Sequence, residues 1–309
     1  MRYLTAALCT AALSFGVLLD TLPAWSYEEI AVTNGGAITG KVTITGGKPT
    51  PKGFTLVTFP DPVYCGRIST GTGWRLLEEF RIAPDGGLKD VIVMLADVPR
   101  GKPFAFIPPT IEARDCRFLP FVTTVRDSHE VKVVNMDPVM HDIQAYETSH
   151  LGPRVLFNVP LPMNPHHPSS AGVDAQYHKH LPGEPMAQTI DMTKGRRIFV
   201  MQCGFHAYME SWGMAVENPY YAVTGTDGTF TITEIPAGDY LLVAWHPQAG
   251  AMLEQKVTVT AKGTASANFQ FRAPTGRRSP HEMVENPHFG LEALGKPLEV
   301  VPTLELQKP

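Results

Sequence analysis

Short apolar runs with a period of two, each cut off by glycine or proline, recur along most of this 309-residue chain. Ala37–Thr45 alternates cleanly, Leu88–Leu95 is a brief apolar run, and Val122–Val125, Val131–Val134 and Arg197–Met201 continue the pattern. Successive side chains of a strand point to opposite faces, so runs of this period half-bury themselves in sheets. With 27 glycines and 28 prolines spread between them, little chain is left for helices. The fold class expected is all-β, in one or two domains.

Beyond Asn218 the pattern continues. Tyr220–Ile232 carries Asp227-Gly228 between two alternating runs, which predicts a hairpin. Ile235–Trp245, Gln255–Thr260 and Ser266–Phe271 predict further strands. Residues 151–196 carry Pro153, Pro160, Pro162, Pro165, Pro168, Pro182 and Pro185, which exclude a regular element over most of the segment and predict a long surface insertion. Residues 274–309 read as an extended tail.

Arg2, the apolar stretch Leu4–Leu19 and the small residues Ala24 and Ser26 form an export signal over 1–26, so the mature protein is expected to be periplasmic or otherwise exported, and not an integral membrane protein. A formal charge of −4 gives no reason to expect nucleic acid. Once Cys9 leaves with the signal, Cys65, Cys116 and Cys203 remain, an odd number in an oxidising compartment. The natural split is a Cys65–Cys116 disulfide and a free Cys203; the alternative is that Cys65 and Cys116 are separate buried thiols.

Cys203 opens the segment Cys203-Gly-Phe-His206-Ala-Tyr-Met209, straight after the strand-like run 197–201. Thiolate, imidazole and thioether at three-residue spacing are the donors of a trigonal His2Cys copper site with a weak axial methionine, which needs one more histidine. His141, after the Asn135-Met-Asp-Pro turn, offers it. Soft donors disfavour magnesium and calcium, and leave zinc as the rival occupant. Cys203 lies between Gln202 and Gly204, so it lacks the adjacent histidine that would bridge to a catalytic copper, and no Gly-x-Ser-x-Gly or His-Glu-x-x-His motif is present. A non-enzymatic role is expected.

With these motifs, residues 105–217 resemble a cupredoxin, similar to amicyanin or plastocyanin in the short Cys203-x2-His206-x2-Met209 loop and in the Phe118-Leu-Pro-Phe-Val strand start. Residues 218–273 resemble a carboxypeptidase-regulatory or transthyretin-like module in Thr226-Asp-Gly-Thr-Phe and Ile235-Pro-Ala-Gly-Asp-Tyr. Such modules open with strands like those in the N-terminal β segment, 27–104; whether the cupredoxin precedes the module or is inserted into it stays open. The resemblance implies a Greek-key β-sandwich holding one type 1 copper on His141, Cys203, His206 and Met209, which carries single electrons to a redox protein such as a cytochrome or a periplasmic dehydrogenase. Phe205, Ala207, Tyr208 and Trp212 are the expected apolar collar through which electrons leave by the His206 edge, with Trp212 reading equally well as an ordinary core aromatic. Asp142 stands where cupredoxins often carry Asn, and its charge is expected to favour the oxidised metal.

The 151–196 segment offers a second candidate metal site in His166, His167, His178 and His180, since a His-x-His pair in extended chain points both rings to one face. A copper-handling or structural interaction protein, using that segment and the C-terminal module, is the alternative function.

Overall fold

The computed structural model describes residues 27–66, 73–148, 152–167, 181–193, 196–250 and 252–275. The export signal and nearly all of the 274–309 tail lie outside the described residues. The protein is all-β, with two sandwiches stacked on each other.

The first sandwich faces a sheet of Met186–Ile190, His129–Asn135, Thr110–Ala113 and Phe118–Leu119 against one of Arg154–Leu161, His141–Glu147, Ile198–Gln202, Glu210–Val216 and Val122–Arg126. Ile111, Val131, Val133, Ile143, Phe199 and Met201 close its core, each fully buried. The second pairs Gly36–Thr45 with Thr229–Ile235, Thr264–Ser266 and Phe269–Arg272, and packs this sheet on Tyr221–Val223, Ile92–Ala96, Gly238–Trp245 and Leu253–Val259. Strands on both sides of 110–216 in sequence therefore build one sandwich.

Sheets buried on both faces explain the continuous apolar runs. Met214, Val216 and partly buried Trp212 on the outside of the five-stranded sheet meet Ile92, Met94, Val243 and Trp245 of the second sandwich in a third apolar layer. A strand covered on both sides has no solvent face to mark with polar residues.

The proline-rich 151–196 segment, expected to lack a regular element over most of its length, holds two short strands, Arg154–Leu161 and Met186–Ile190. Both lie at sheet edges, where a proline can turn its missing donor outward, and Pro160 occupies such a place. The hairpin expectation needs correction: the Asp227-Gly228 turn makes none. Tyr221–Val223 pairs with Ile92–Ala96 and Thr229–Ile235 with Gly36–Thr45, so the turn arches from one sheet to the other. Gly228, at φ +76°, supplies the left-handed residue and its amide donates to the Gly225 carbonyl at 3.0 Å.

One charged anchor fixes the strand that begins at His141. Glu147, at its far end, is fully buried and accepts from Arg154 at 2.9 Å, Arg196 at 2.6 Å and the Thr193 hydroxyl at 2.6 Å. The Arg154 hydrogen bond, more than any other contact, holds its carboxyl far below the usual carboxylate range.

Candidate metal centre

His141 begins its strand and Cys203 follows directly on Ile198–Gln202, its antiparallel neighbour, so both residues reach the same end of the first sandwich. Asn135 shapes the approach to His141. Its side-chain amide donates to the carbonyls of Val139 at 2.9 Å and Pro162 at 2.8 Å, and its carbonyl oxygen accepts from the Asp137 amide at 2.9 Å. The 203–209 loop closes on itself, with the Cys203 amide donating to Met209 at 3.1 Å and the Met209 amide to His206 at 2.8 Å. A Cβ at Gly204 would lie 2.3 Å from Gln144 Nε2 and 2.7 Å from Asp142 Oδ2, so any other residue there would have to displace these side chains. Its amide donates to the Asp142 carboxylate, which braces the loop.

Three donor atoms converge. The Nδ1 atoms of His141 and His206 are 3.3 Å apart, and Cys203 Sγ lies 3.6 Å from His206 Nδ1 and 4.0 Å from His141 Nδ1. A trigonal ion at about 2.0 Å from each nitrogen and about 2.3 Å from sulfur needs separations of roughly 3.5 and 3.7 Å, so the three atoms fit one metal. All three side chains are at most 2% exposed. Met209, the expected axial residue, is fully buried at the end of the loop.

The outer ring nitrogens are held as well. His141 Nε2 is 3.0 Å from Asp137 Oδ2 and His206 Nε2 is 3.1 Å from the Pro60 carbonyl. Acceptors at both Nε2 positions select the tautomers that leave Nδ1 free to bind. Burial favours neutral groups: it lowers the affinity of His206 for a proton, helped by His141, and pushes the Cys203 thiol up to about 12. The thiol thus keeps its proton until a cation displaces it. Burial opposes the charge on Asp137, but the His141 hydrogen bond and the Cys116 and Asp115 amides outweigh it and hold the carboxyl below its ordinary value.

Pro60 belongs to a cap. Residues 56–66, in the long connection between Gly36–Thr45 and Ile92–Ala96, leave the second sandwich and close over the end of the first that carries His141, Cys203 and His206. A 3-10 turn, Leu56–Thr58, is followed by one helical turn, Pro62–Cys65, with Leu56, Tyr64 and Cys65 buried. Cys65 forms the disulfide with Cys116, as expected, and lies 3.7 Å from His206 Nε2. The Tyr64 hydroxyl donates to Asp137 Oδ1 at 3.0 Å, and the Phe59 ring meets that of Tyr208 edge-on at 5.2 Å.

The cap covers part of the expected electron-exit collar. His206 is fully buried rather than open at its edge, and Tyr208 is 2% exposed beneath Phe59. Trp212 points to the opposite face of its sheet, into the layer between the sandwiches. Of the collar, Phe205, 41% exposed, and Ala207 reach the surface. In the second candidate site, His166 is exposed while His167 is buried with its ring against Tyr64, and His178 and His180 lie outside the described residues. Pro60, Tyr64 and Asp137 were missed as site residues. Asp137, four residues before His141, carried the one local signal that could have found them.

No curated protein matches the sequence. The family model of polysaccharide lyase family 4, domain II, matches residues 206–267; over the C-terminal module this is the match found, in place of the carboxypeptidase-regulatory or transthyretin-like one expected. Similar solved structures include cupredoxins and a copper-containing nitrite reductase. Among them is a purple cupredoxin from Nitrosopumilus maritimus at 15% identity, covering 35% of this chain and 99% of that one with a TM-score of 0.24. Amicyanin from Paracoccus versutus is 12% identical over 40% of this chain and 97% of its own, with a TM-score of 0.23. A copper-containing nitrite reductase from Thermus scotoductus is 19% identical over 38% of this chain and 24% of its own, with a TM-score of 0.24.

Proposed function

We propose that the protein is an exported mononuclear type 1 copper protein that carries single electrons between redox partners, with His141, Cys203 and His206 holding the metal and Met209 as its weak axial donor. The observation that carries this reading is the convergence of two Nδ1 atoms and one Sγ within 4.0 Å, with both outer nitrogens already anchored. Thiolate, imidazole and thioether together suit copper in both oxidation states. Copper bound there supplies a one-electron couple.

The chain's part is to hold still and exclude water. The Pro60 carbonyl and the Asp137 carboxylate fix the imidazoles, and the Asp142–Gly204 bond fixes the thiolate loop, so little rearranges between oxidation states. A catalytic metal keeps a coordination position open to substrate. Here the three donors are buried under the cap, which favours a carrier over an enzyme. Electrons would leave through the cap, from His206 Nε2 by way of the Pro60 carbonyl at 3.1 Å. On the cap Val57 and Val63 are 71% and 91% exposed, and Met140 and Phe205, next in sequence to the two histidines, are 44% and 41% exposed. The second sandwich carries the cap.

Titration of the metal-free protein with Cu(II) tests this. An intense thiolate-to-copper band in the visible, growing to saturation at one equivalent, is expected. Copper uptake without colour, or zinc binding that Cu(II) cannot displace, would contradict it.

A further inference from the structure

Asp137 is a buried charge one imidazole away from the metal position. Its Oδ2 lies 3.0 Å from His141 Nε2 and accepts from the Cys116 amide at 2.8 Å, while Oδ1 accepts from the Asp115 amide at 2.7 Å and the Tyr64 hydroxyl at 3.0 Å. The carboxylate is fully buried, as is His141. Two of these donors come from cap-linked parts of the chain: Tyr64 is in the cap and Cys116 is disulfide-bonded to it.

We infer that Asp137 is a positioning residue that sets the reduction potential of the metal centre through His141, and that the Tyr64 hydrogen bond makes this setting depend on how the cap is seated. A carboxylate accepting from the outer N–H of a metal-bound imidazole makes the inner nitrogen a stronger donor. The stronger donor stabilises Cu(II) over Cu(I), and a buried negative charge acts in the same direction because the oxidised centre carries one more positive charge. The potential is thereby lowered. A hydroxyl donated to the same carboxylate withdraws charge from it and moderates the effect. Cap and metal are thus joined by a continuous chain, Tyr64 to Asp137 to His141.

The inference rests on the copper reading above, and the unaltered protein separates the two. In the metal-free state, nitrogen-15 NMR is expected to place the His141 proton on Nε2; a proton on Nδ1 would overturn the inference with no metal involved. With copper bound, Asp137→Asn, close in shape but uncharged, should raise the potential enough to shift the Cu(I):Cu(II) ratio at least tenfold at the parental midpoint, which is about 59 mV for one electron. Tyr64→Phe keeps the charge and removes the moderating donor, so its potential should move the opposite way, and this variant still decides the matter if Asp137→Asn does not fold. A merely structural role would give no such pair of opposite shifts. If the unaltered protein is blue and neither variant changes the ratio by as much as twofold, the inference fails and the copper reading stands; if the unaltered protein takes no blue colour, both fail.

Discussion

Replacing Cys203 with serine is expected to abolish the visible colour of the copper-loaded protein and to weaken copper binding at least a hundredfold, about 2.8 kcal/mol. The effect is large because one atom supplies both properties. The thiolate is the soft donor that separates this site from a magnesium or calcium site, and the absorption is the transfer of its charge to Cu(II). Serine is nearly isosteric, so the 203–209 loop should still close through the Cys203–Met209 and His206–Met209 backbone bonds, whose donors and acceptors are unchanged. A hydroxyl in this buried position costs the fold about 1–3 kcal/mol if it finds no partner, which thermal unfolding of the metal-free variant would register separately. Spectra of parent and variant at equal copper occupancy, with equilibrium dialysis for affinity, check the two halves. A serine variant that stays blue would remove Cys203 from the site.

Removing the cap's covalent tie should act on stability and on metal exchange together. Cys65 and Cys116 are separated by 51 residues. Closing a loop of that length in the unfolded chain corresponds to about 4 kcal/mol in the chain-entropy account, so the Cys65→Ala, Cys116→Ala double variant should unfold at markedly lower urea concentration. The cap then rests on the Pro60–His206 and Tyr64–Asp137 hydrogen bonds and the Phe59–Tyr208 contact. Each is worth on the order of 1 kcal/mol net, so openings that uncover His206 become common. A chelator should strip copper from this variant at least tenfold faster than from the parent. An unchanged stripping rate would mean that the cap does not govern access to the metal.

The parts legible in the sequence were those encoded locally. Cys203, His206 and Met209 sit within one turn-forming stretch and His141 just after another, so donor type and spacing were enough to single them out. Odd-cysteine arithmetic favoured the right disulfide for the same reason: it depends on composition and compartment, not on the fold. The cap was hidden because it depends on placement. Cys65 and His206 are 141 residues apart, and nothing around either residue announces the other. Trp212 stayed open between collar and core because an aromatic three residues from the 203–209 loop reads alike on either face of its strand, and only the packing of the second sandwich decides the face. Asp227-Gly228 misled similarly: its turn chemistry serves a hairpin and an arch equally, and the sheet each strand joins is settled by burial of Phe230 and Ile232 against the partner sheet.

Voltammetry of the copper-loaded protein adsorbed on an electrode tests the central claim most directly. A single reversible wave with the width of a one-electron couple, persisting over repeated cycles without loss of copper, is the predicted result, since both imidazoles and the thiolate loop are anchored before metal enters. A two-electron wave, or copper released on the first reduction, would contradict an electron-carrying centre on His141, Cys203 and His206.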